Sequence, residues 1–549
     1  MSMETSRVHV FTGCKIITMD DKRTIGNAIA VQDDKIISVG SENDIEKMVR
    51  DYRESTGCKV VHHPQDGNRC IMPGFIDTHL HPGLCIYFKL QVNLSGVRSQ
   101  EELKKVLQEA ASTRKGDEWI LGVDLMEDNF VDPAERFFPT RKELDLAGDN
   151  PIVVMRHDGH ICSVNTAALQ HMNITDKILE KFSDGSGEIR MNAFGEFTGV
   201  LTEEATSIAL NHVPFPGIAK VKDAGNAFSK ELASFGITTA GGMVQLGNEG
   251  IAGKAGAIEV PLMIALASEG IFNQDFVFYL VTSKPKKIPR QARAFKKLNK
   301  PDGQFTVGGI KLYADGSFGA STACMHEPFS DSKDGVSGFM VKDIDTLRAL
   351  FKDVDELGFQ VAIHAIGDKA NRLVVDAFDG IATPAKRHRI EHASILTDDT
   401  MADIARLGLV VSCQPAFIHS EHHWLEKRLG KERLQRTYAF KSMLDAGIMI
   451  GGASDAPVES ANVMRAIEAC VTRDGMVLAE CIPVMDALAF FTIDAARVLR
   501  QEGWKGSLEP GKQADFVILE KDPTATPSSE IGKIKVLATY HRGKCTFRQ

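Results

Sequence analysis

The sequence lacks several features, and each absence narrows its class. No run of about 18 strongly apolar residues occurs, so no membrane span is expected. Ten cysteines are scattered over 549 residues without a Cys-x-x-Cys pair, which argues against a disulfide scaffold and suits reduced, mostly buried thiols. There is no block of lysine and arginine. The 64 basic and 73 acidic residues leave a net charge of −9 with neutral histidine, which disfavours a nucleic-acid surface. Met1 to Val10 contains no apolar core of a secretory signal, so the expected location is the cytoplasm, with no membrane partner. What remains is ordinary: 43% hydrophobic and 25% charged residues, the balance of a soluble globular protein. At about 150 residues per domain the chain has three to four domain equivalents, or one large α/β barrel with smaller companions.

The two ends resemble each other and differ from the middle. Near the start, VHVF, KIIT, NAIAVQ and KIISVG alternate with turns, and near the end ADFVILE and IKVLATYHRGKCTF do the same. Short strands at this spacing predict a small β-sandwich built from 1–72 and 506–549, each part covering edges the other would leave open. Between them, eight apolar β-like runs alternate with helical patterns: Gly74–Thr78, Ile237–Met243, Pro261–Ala267, Thr306–Tyr313, Gln360–His364, His388–His392, Leu409–Ser412 and Ile448–Ser454. Helices are predicted over Ile344–Leu357 and Asp398–Leu407. Such alternation predicts an α/β fold, a (β/α)8 barrel over 73–505. The stretch between the first two strands is too long for a loop, so 85–220 is expected to be an inserted α/β cap subdomain over the barrel mouth, and Pro151–Met155 a strand within it.

The chemistry gathers at the predicted strand ends. In MPGFIDTHLHPG, His79 and His81 stand two apart, so on a strand both imidazoles face the same side and can meet one metal ion. His364 closes QVAIHA, His392 closes RIEHA, and Asp455 follows IMIGGAS. Barrel enzymes place catalytic groups where strand gives way to loop. Lys311 lies inside the apolar run GGIKLYADGS, where a charged ammonium is costly. Pairing with Asp315 or another carboxylate would remove that cost. So would reaction with carbon dioxide, giving a carbamate able to bridge two cations. The glycine pairs Gly241-Gly242 and Gly451-Gly452 lack the strand–turn–helix setting of a dinucleotide site and are expected to be tight barrel turns.

In this order the motifs resemble the amidohydrolase superfamily, and within it the YtcJ-like branch (amidohydrolase family 3) that includes N-substituted formamide deformylases. KIITMD and AVQDDKIISVG, then MPGFIDTHLH, RHDGHICSVNTAAL, GEFTGVLTEEA, GIKLYADGSFGASTA, AIHAIGDKAN, RIEHA, SDAPVE and GSLEPGKQADFVILEKDP carry the resemblance nearly end to end. It implies a distorted barrel with a terminal β-sandwich and a centre of one or two metals, usually Zn2+, with Mn, Fe or Co also suited to such ligands. It further implies that His79, His81 and Asp455 hold the buried metal. Lys311, as a carboxylated lysine, would bridge to a second metal held by His364 and His392. Ala453 departs from the family's usual glycine, and His419, His422 and His423 in QPAFIHSEHHW are an unusual cluster.

The function this implies is hydrolysis of a C–N bond in an amide, N-substituted formamide or cyclic amide by metal-activated hydroxide, with Asp455 moving a proton to the leaving nitrogen. Asp455 read without the resemblance could equally cap a helix. His160 is a candidate to bond the developing oxyanion, or a structural residue of the insert. His419, His422 and His423 are expected to be solvated or pocket-lining, with substrate contact or an extra metal site as the alternatives. Arg156 and Asp158 beside Gly159 are candidates to hold the cap, and Arg156 is also a candidate for substrate contact. An ester or lactone hydrolase on the same centre, and a non-catalytic metal-stabilised binding or regulatory protein, are the rival functions. The expected partner is a small-molecule substrate, with a homodimer plausible for a chain of this type.

Overall fold

The computed structural model describes residues 7–157, 159–180, 182, 187–203, 205–214, 217–246, 253–287 and 303–549. Eight parallel strands form one sheet in strict chain order. They are β1 (Phe75–Leu80), β2 (Ile237–Gln245), β3 (Asp275–Val281), β4 (Phe305–Tyr313), β5 (Gln360–Ala365), β6 (Arg389–His392), β7 (Val410–Cys413) and β8 (Met449–Gly452). The ladder brings Tyr313 level with His364 and Ala365 level with His392, so the strand ends converge at one rim. The last strand nearly closes on the first. Thr78 Oγ1 donates to Gly452 O at 3.1 Å, and Asp455 N–H donates to His79 O at 2.8 Å.

The helices between strands follow their apolar periodicity. In Ile344–Glu356, Leu347, Phe351 and Val354 are buried at spacings of four and three, and Asp343 caps the N-terminus by accepting from Thr346 N–H. In Asp398–Leu407, Met401, Ile404 and Leu407 are buried. That helix ends at Gly408, φ +64°, where a Cβ would sit 2.4 Å from Pro384.

One expected strand is wrong. Pro261–Ala267 lies inside a helix, Gly253–Ser268, and the third barrel strand is DFVFYLV at Asp275–Val281. A continuous apolar run with no polar face carries no period, and length was the discriminator: sixteen residues suit a helix better than a strand.

Two further sheets flank the barrel. Strands Val92–Asn93, Ile120–Leu125, Ile152–Arg156, Ile161–Val164, Phe197–Glu203 and Gly187–Met191 make a six-stranded sheet between β1 and β2. Its strand Ile152–Arg156 alternates Val153 and Met155 into one apolar cluster and Ile152 and Val154 into another, so both faces are covered. The other sheet joins the chain's two ends. Phe516–Leu519 pairs antiparallel with Cys70–Pro73, which runs directly into β1. All ten cysteines are free thiols and eight are buried. Among the described residues, no helix is long and apolar enough to cross a membrane.

Candidate metal centre and active site

The barrel interior is polar along the path from β3 to the rim. Tyr279 donates to Gln360 Oε1 at 2.6 Å, and the Arg389 guanidinium stacks on the Tyr279 ring at 4.2 Å. Arg389 grips the Glu391 carboxylate through both Nε and a terminal nitrogen, at 2.5 and 2.6 Å. Arg389 and Glu391 are two apart on β6 and so point the same way, into the barrel. Regular alternation would send His392 outward, but its φ of +71° turns the chain, and its ring joins the same cluster. Asp455 is likewise left-handed, with φ +60°.

Three of the rim histidines are set by a partner on the far side of the ring. His79 Nδ1 donates to Glu391 Oε2 at 2.5 Å, so Nε2 carries the lone pair. His392 Nδ1 donates to Gln414 Oε1 at 2.8 Å. His364 Nε2 donates to Gly316 O at 3.0 Å, which leaves Nδ1 as its ligand atom. Burial pushes His392 down to about 3, and holds His81 and, more strongly, His364 below the ordinary imidazole range. These three rings are neutral at pH 7, as metal ligands must be. Burial would raise the Glu391 carboxyl, but Arg389 and His79 beside it hold it well below the usual range.

These residues fit a cation. His79 Nε2 and Asp455 Oδ1 are both buried, both without a hydrogen-bond partner, and 3.2 Å apart. Two facing acceptors repel unless a positive charge lies between them. Ligand atoms of His79, His392 and Asp455 all lie within 4.8 Å of one another, and His81 Nε2 is 3.1 Å from Asp455 Oδ1. Lys311 is 1% exposed, and among the described residues it forms no salt bridge. Asp315 does not pair with it. That carboxylate accepts backbone N–H groups of Cys324, Ile366 and Gly367 at 2.8–3.0 Å instead. Burial lowers the Lys311 ammonium to about 8 despite Glu391 and Asp455 nearby.

Two chambers meet over this cluster. The larger, about 1150 Å³ and open to solvent, has an apolar wall that includes Leu84, Tyr87, Phe88, Met155, Leu210 and Leu262. The smaller, about 600 Å³, is bordered by Arg156, Ser317, Ser420, Glu421 and Glu459. His160, His364, His392 and Asp455 line both. Arg156 is engaged by Glu127 and Asp128 at 2.8 Å each. Asp158 lies outside the described residues. The structure does not bring His419, His422 and His423 to this cluster. They border a separate cavity, where Asp474 and the Arg465 carbonyl occupy both nitrogens of His419.

Sequence reasoning missed Arg389, Glu391, Gln414 and Asp77. Asp77 accepts from the backbone N–H groups of His79 at 3.0 Å and Ser454 at 3.2 Å, which ties the first strand to the last at the rim. The available signal was a pair of opposite charges two apart in a short strand, as in RIEH.

An eight-stranded parallel barrel with neutral histidines and an aspartate at its C-terminal rim defines a metal-dependent hydrolase. The comparisons make the class specific. The amidohydrolase family profile matches residues 67–547, and the chain belongs to that family. It is 28% identical to a Bacillus subtilis protein named as a putative amidohydrolase, YtcJ, over 98% of this chain and 99% of that protein. It is 23% identical to the N-substituted formamide deformylase of Arthrobacter pascens, over 100% of this chain and 99% of that one. A crystal structure of a metal-dependent hydrolase from Pyrococcus horikoshii superposes with a TM-score of 0.74 at 27% identity, covering 95% of this chain and 99% of the other. The protein is a metal-dependent amidohydrolase.

Proposed function

We propose that the protein hydrolyses a C–N bond of an amide, an N-substituted formamide or a cyclic amide. The observation that carries this reading is the pair of facing, unpartnered acceptors, His79 Nε2 and Asp455 Oδ1, beneath a largely apolar chamber. In this reading His79, His81 and Asp455 hold one divalent cation, and His364, His392 and Lys311 hold a second. Zinc suits the set, with manganese, iron or cobalt as alternatives. Lys311 first takes up carbon dioxide: its neutral amine forms the Nζ–C bond, and the displaced proton leaves to solvent. A bound cation supplies carbonyl polarisation and a more acidic water.

The chain's own residues do the rest. The apolar wall seats the substrate's hydrocarbon part and excludes water from the scissile bond. Asp455 accepts the proton of the attacking water and returns it to the leaving nitrogen, which departs as an amine. His160 bonds the carbonyl oxygen as charge develops on it. The segment 85–220 acts as a cap over the barrel of 73–505, and 1–72 with 506–549 forms the accompanying β domain. The name of the Arthrobacter relative supports the formamide arm of this reading.

The test is elemental analysis of native protein and of Lys311→Ala, purified without chelator. Turnover of p-nitroacetanilide, N-substituted formamides and a lactam is measured alongside. Two metals per native chain, one or none in the variant, and chelator-sensitive release of amine are expected. A folded native chain without metal would overturn the proposal.

A further inference from the structure

Glu203 ends the strand Phe197–Glu203 in a left-handed conformation, φ +50°, a strained placement for a residue other than glycine. It engages His160 twice. Its backbone N–H donates to His160 O at 2.7 Å, and its Oε2 accepts from His160 Nδ1 at 2.8 Å. Its other oxygen, Oε1, accepts from the Thr322 hydroxyl at 3.0 Å. Thr322 belongs to the loop after β4, and its Oγ1 in turn accepts Ser317 N–H at 3.0 Å. The carbonyl of that same peptide group, Gly316 O, accepts from His364 Nε2. One continuous chain of hydrogen bonds therefore runs from His160 through Glu203, Thr322 and the 316–317 peptide to His364. Gly316 is required there, because a Cβ would lie 2.1 Å from Thr322 Oγ1.

We infer that Glu203 is a positioning residue: it fixes the His160 ring, which lines both chambers, by holding its Nδ1–H. An ionised carboxylate offers acceptors only, so it selects the Nδ1–H form of the ring. Because its far oxygen is anchored to the barrel loop that also orients His364, Glu203 registers His160 against the metal centre itself. A carboxylate held only within the six-stranded sheet could not do this. The role of His160 toward substrate rests on the function proposed above. The orientation of its ring does not.

The two are separated by measuring each. In the full-length protein, 15N-histidine spectra report which ring nitrogen of His160 bears the proton, with His160→Gln supplying the assignment. Native protein is expected to show Nδ1–H. In Glu203→Gln the side-chain amide can donate or accept, so the Nε2–H form should appear. With the metal-loaded enzyme and p-nitroacetanilide or the fastest amide of the panel, Glu203→Gln should lower kcat about 10- to 100-fold with KM changed less than about twofold. Glu203→Asp is expected to recover only part of the loss, and Thr322→Val to produce a smaller one. A His160 ring that keeps Nδ1–H alone in Glu203→Gln, with kcat within twofold of native, would overturn the inference. If the spectra shift as expected while His160→Gln leaves kcat unchanged, Glu203 stands and the catalytic reading of His160 falls. Should Glu203→Gln fail to fold, Glu203→Asp carries the same spectral test, because its shorter carboxylate draws back from Nδ1 and the Nε2–H form should begin to appear.

Discussion

The two ends of the barrel hold buried clusters built from the same ligand types, and they mean opposite things. At the C-terminal rim stand His79, His392 and Asp455; at the opposite end stand Asp275, Asp515 and His541. By composition either could hold a metal. The difference lies in what surrounds them. Asp275 is bonded by Lys505, by His541 at 2.9 Å and by Arg542 through two nitrogens at 3.0 and 3.1 Å. Despite its burial, Lys505 and the other groups bonded to it hold its carboxyl far below the usual range. That cluster already contains its positive charge, and it joins the base of β3 to the C-terminal strands. At the rim burial keeps the His392 ring neutral, and His79 Nε2 and Asp455 Oδ1 face each other without a hydrogen-bond partner. A constellation of histidine and carboxylate becomes a metal site when its charge is unbalanced from within.

Exchanging the two aspartates for asparagine breaks this comparison most sharply. Asp455→Asn should cost about 10²–10⁴-fold in kcat, because the amide cannot carry a proton to the leaving nitrogen. Its effect on apo stability should be small or favourable, since it relieves the apposition of two acceptors. Asp275→Asn should cost about 3–5 kcal/mol of stability, as removing one partner strands buried Lys505 beside the rest. Its residual activity per folded, metal-loaded molecule should be near native. Urea melts and active-site-normalised kinetics on both variants check this. A stable Asp275→Asn, or a fully active Asp455→Asn, would reverse the assignment of the two clusters.

Metal removal sharpens the same contrast with a smaller effect. A cation present at a hundredfold excess over its Kd stabilises the native state by about 2.7 kcal/mol. Chelation should therefore lower the Tm of the native chain and abolish amide turnover. The drop should shrink in Asp455→Asn and persist in Asp275→Asn, whose rim is intact. Scanning calorimetry with and without chelator distinguishes these. Equal drops in both variants would mean that the rim cluster is not where the stabilising cation sits.

How legible these clusters were in the sequence follows from the reach of their partners. Seven barrel strands were readable because an apolar β-run gives way to a polar residue at its end. The third was not, since the stretch Pro261–Ala267 in the helix before it is wholly apolar and imitates a strand. The rim histidines were readable for the same reason: each closes its own run. Glu391 sits 312 residues from the His79 it orients, and Glu203 sits 43 from His160. Neither pairing has a local period to betray it. The lower cluster draws Asp275, Lys505 and His541 from three distant segments, none with a motif. Local pattern shows which side chains face the site; only the fold shows which ones hold them there.

The smallest effect is the share of the acid sensitivity that belongs to the lower end. His388 lies just before β6, 1% exposed, and its Nδ1 accepts Val361 N–H at 3.0 Å. Facing it are Asp355, 3.3 Å from Nε2, with Arg500 and Lys386 nearby. Burial is the largest influence and pushes the ring down to about 4. In the unfolded chain it titrates near about 6.5. Above that pH both states are neutral and the residue contributes nothing to pH dependence. Between about 6.5 and 4 the unfolded chain binds a proton that the folded chain refuses, so stability falls as pH falls. His388→Gln keeps an acceptor for Val361 N–H and removes the titration, so its stability curve should be flatter across that window and should converge with native above it. Urea melts of the apo protein at pH 7.5, 6, 5 and 4.5 test this. A variant that runs parallel to native throughout would move the acid sensitivity away from the base of the barrel and onto the rim histidines.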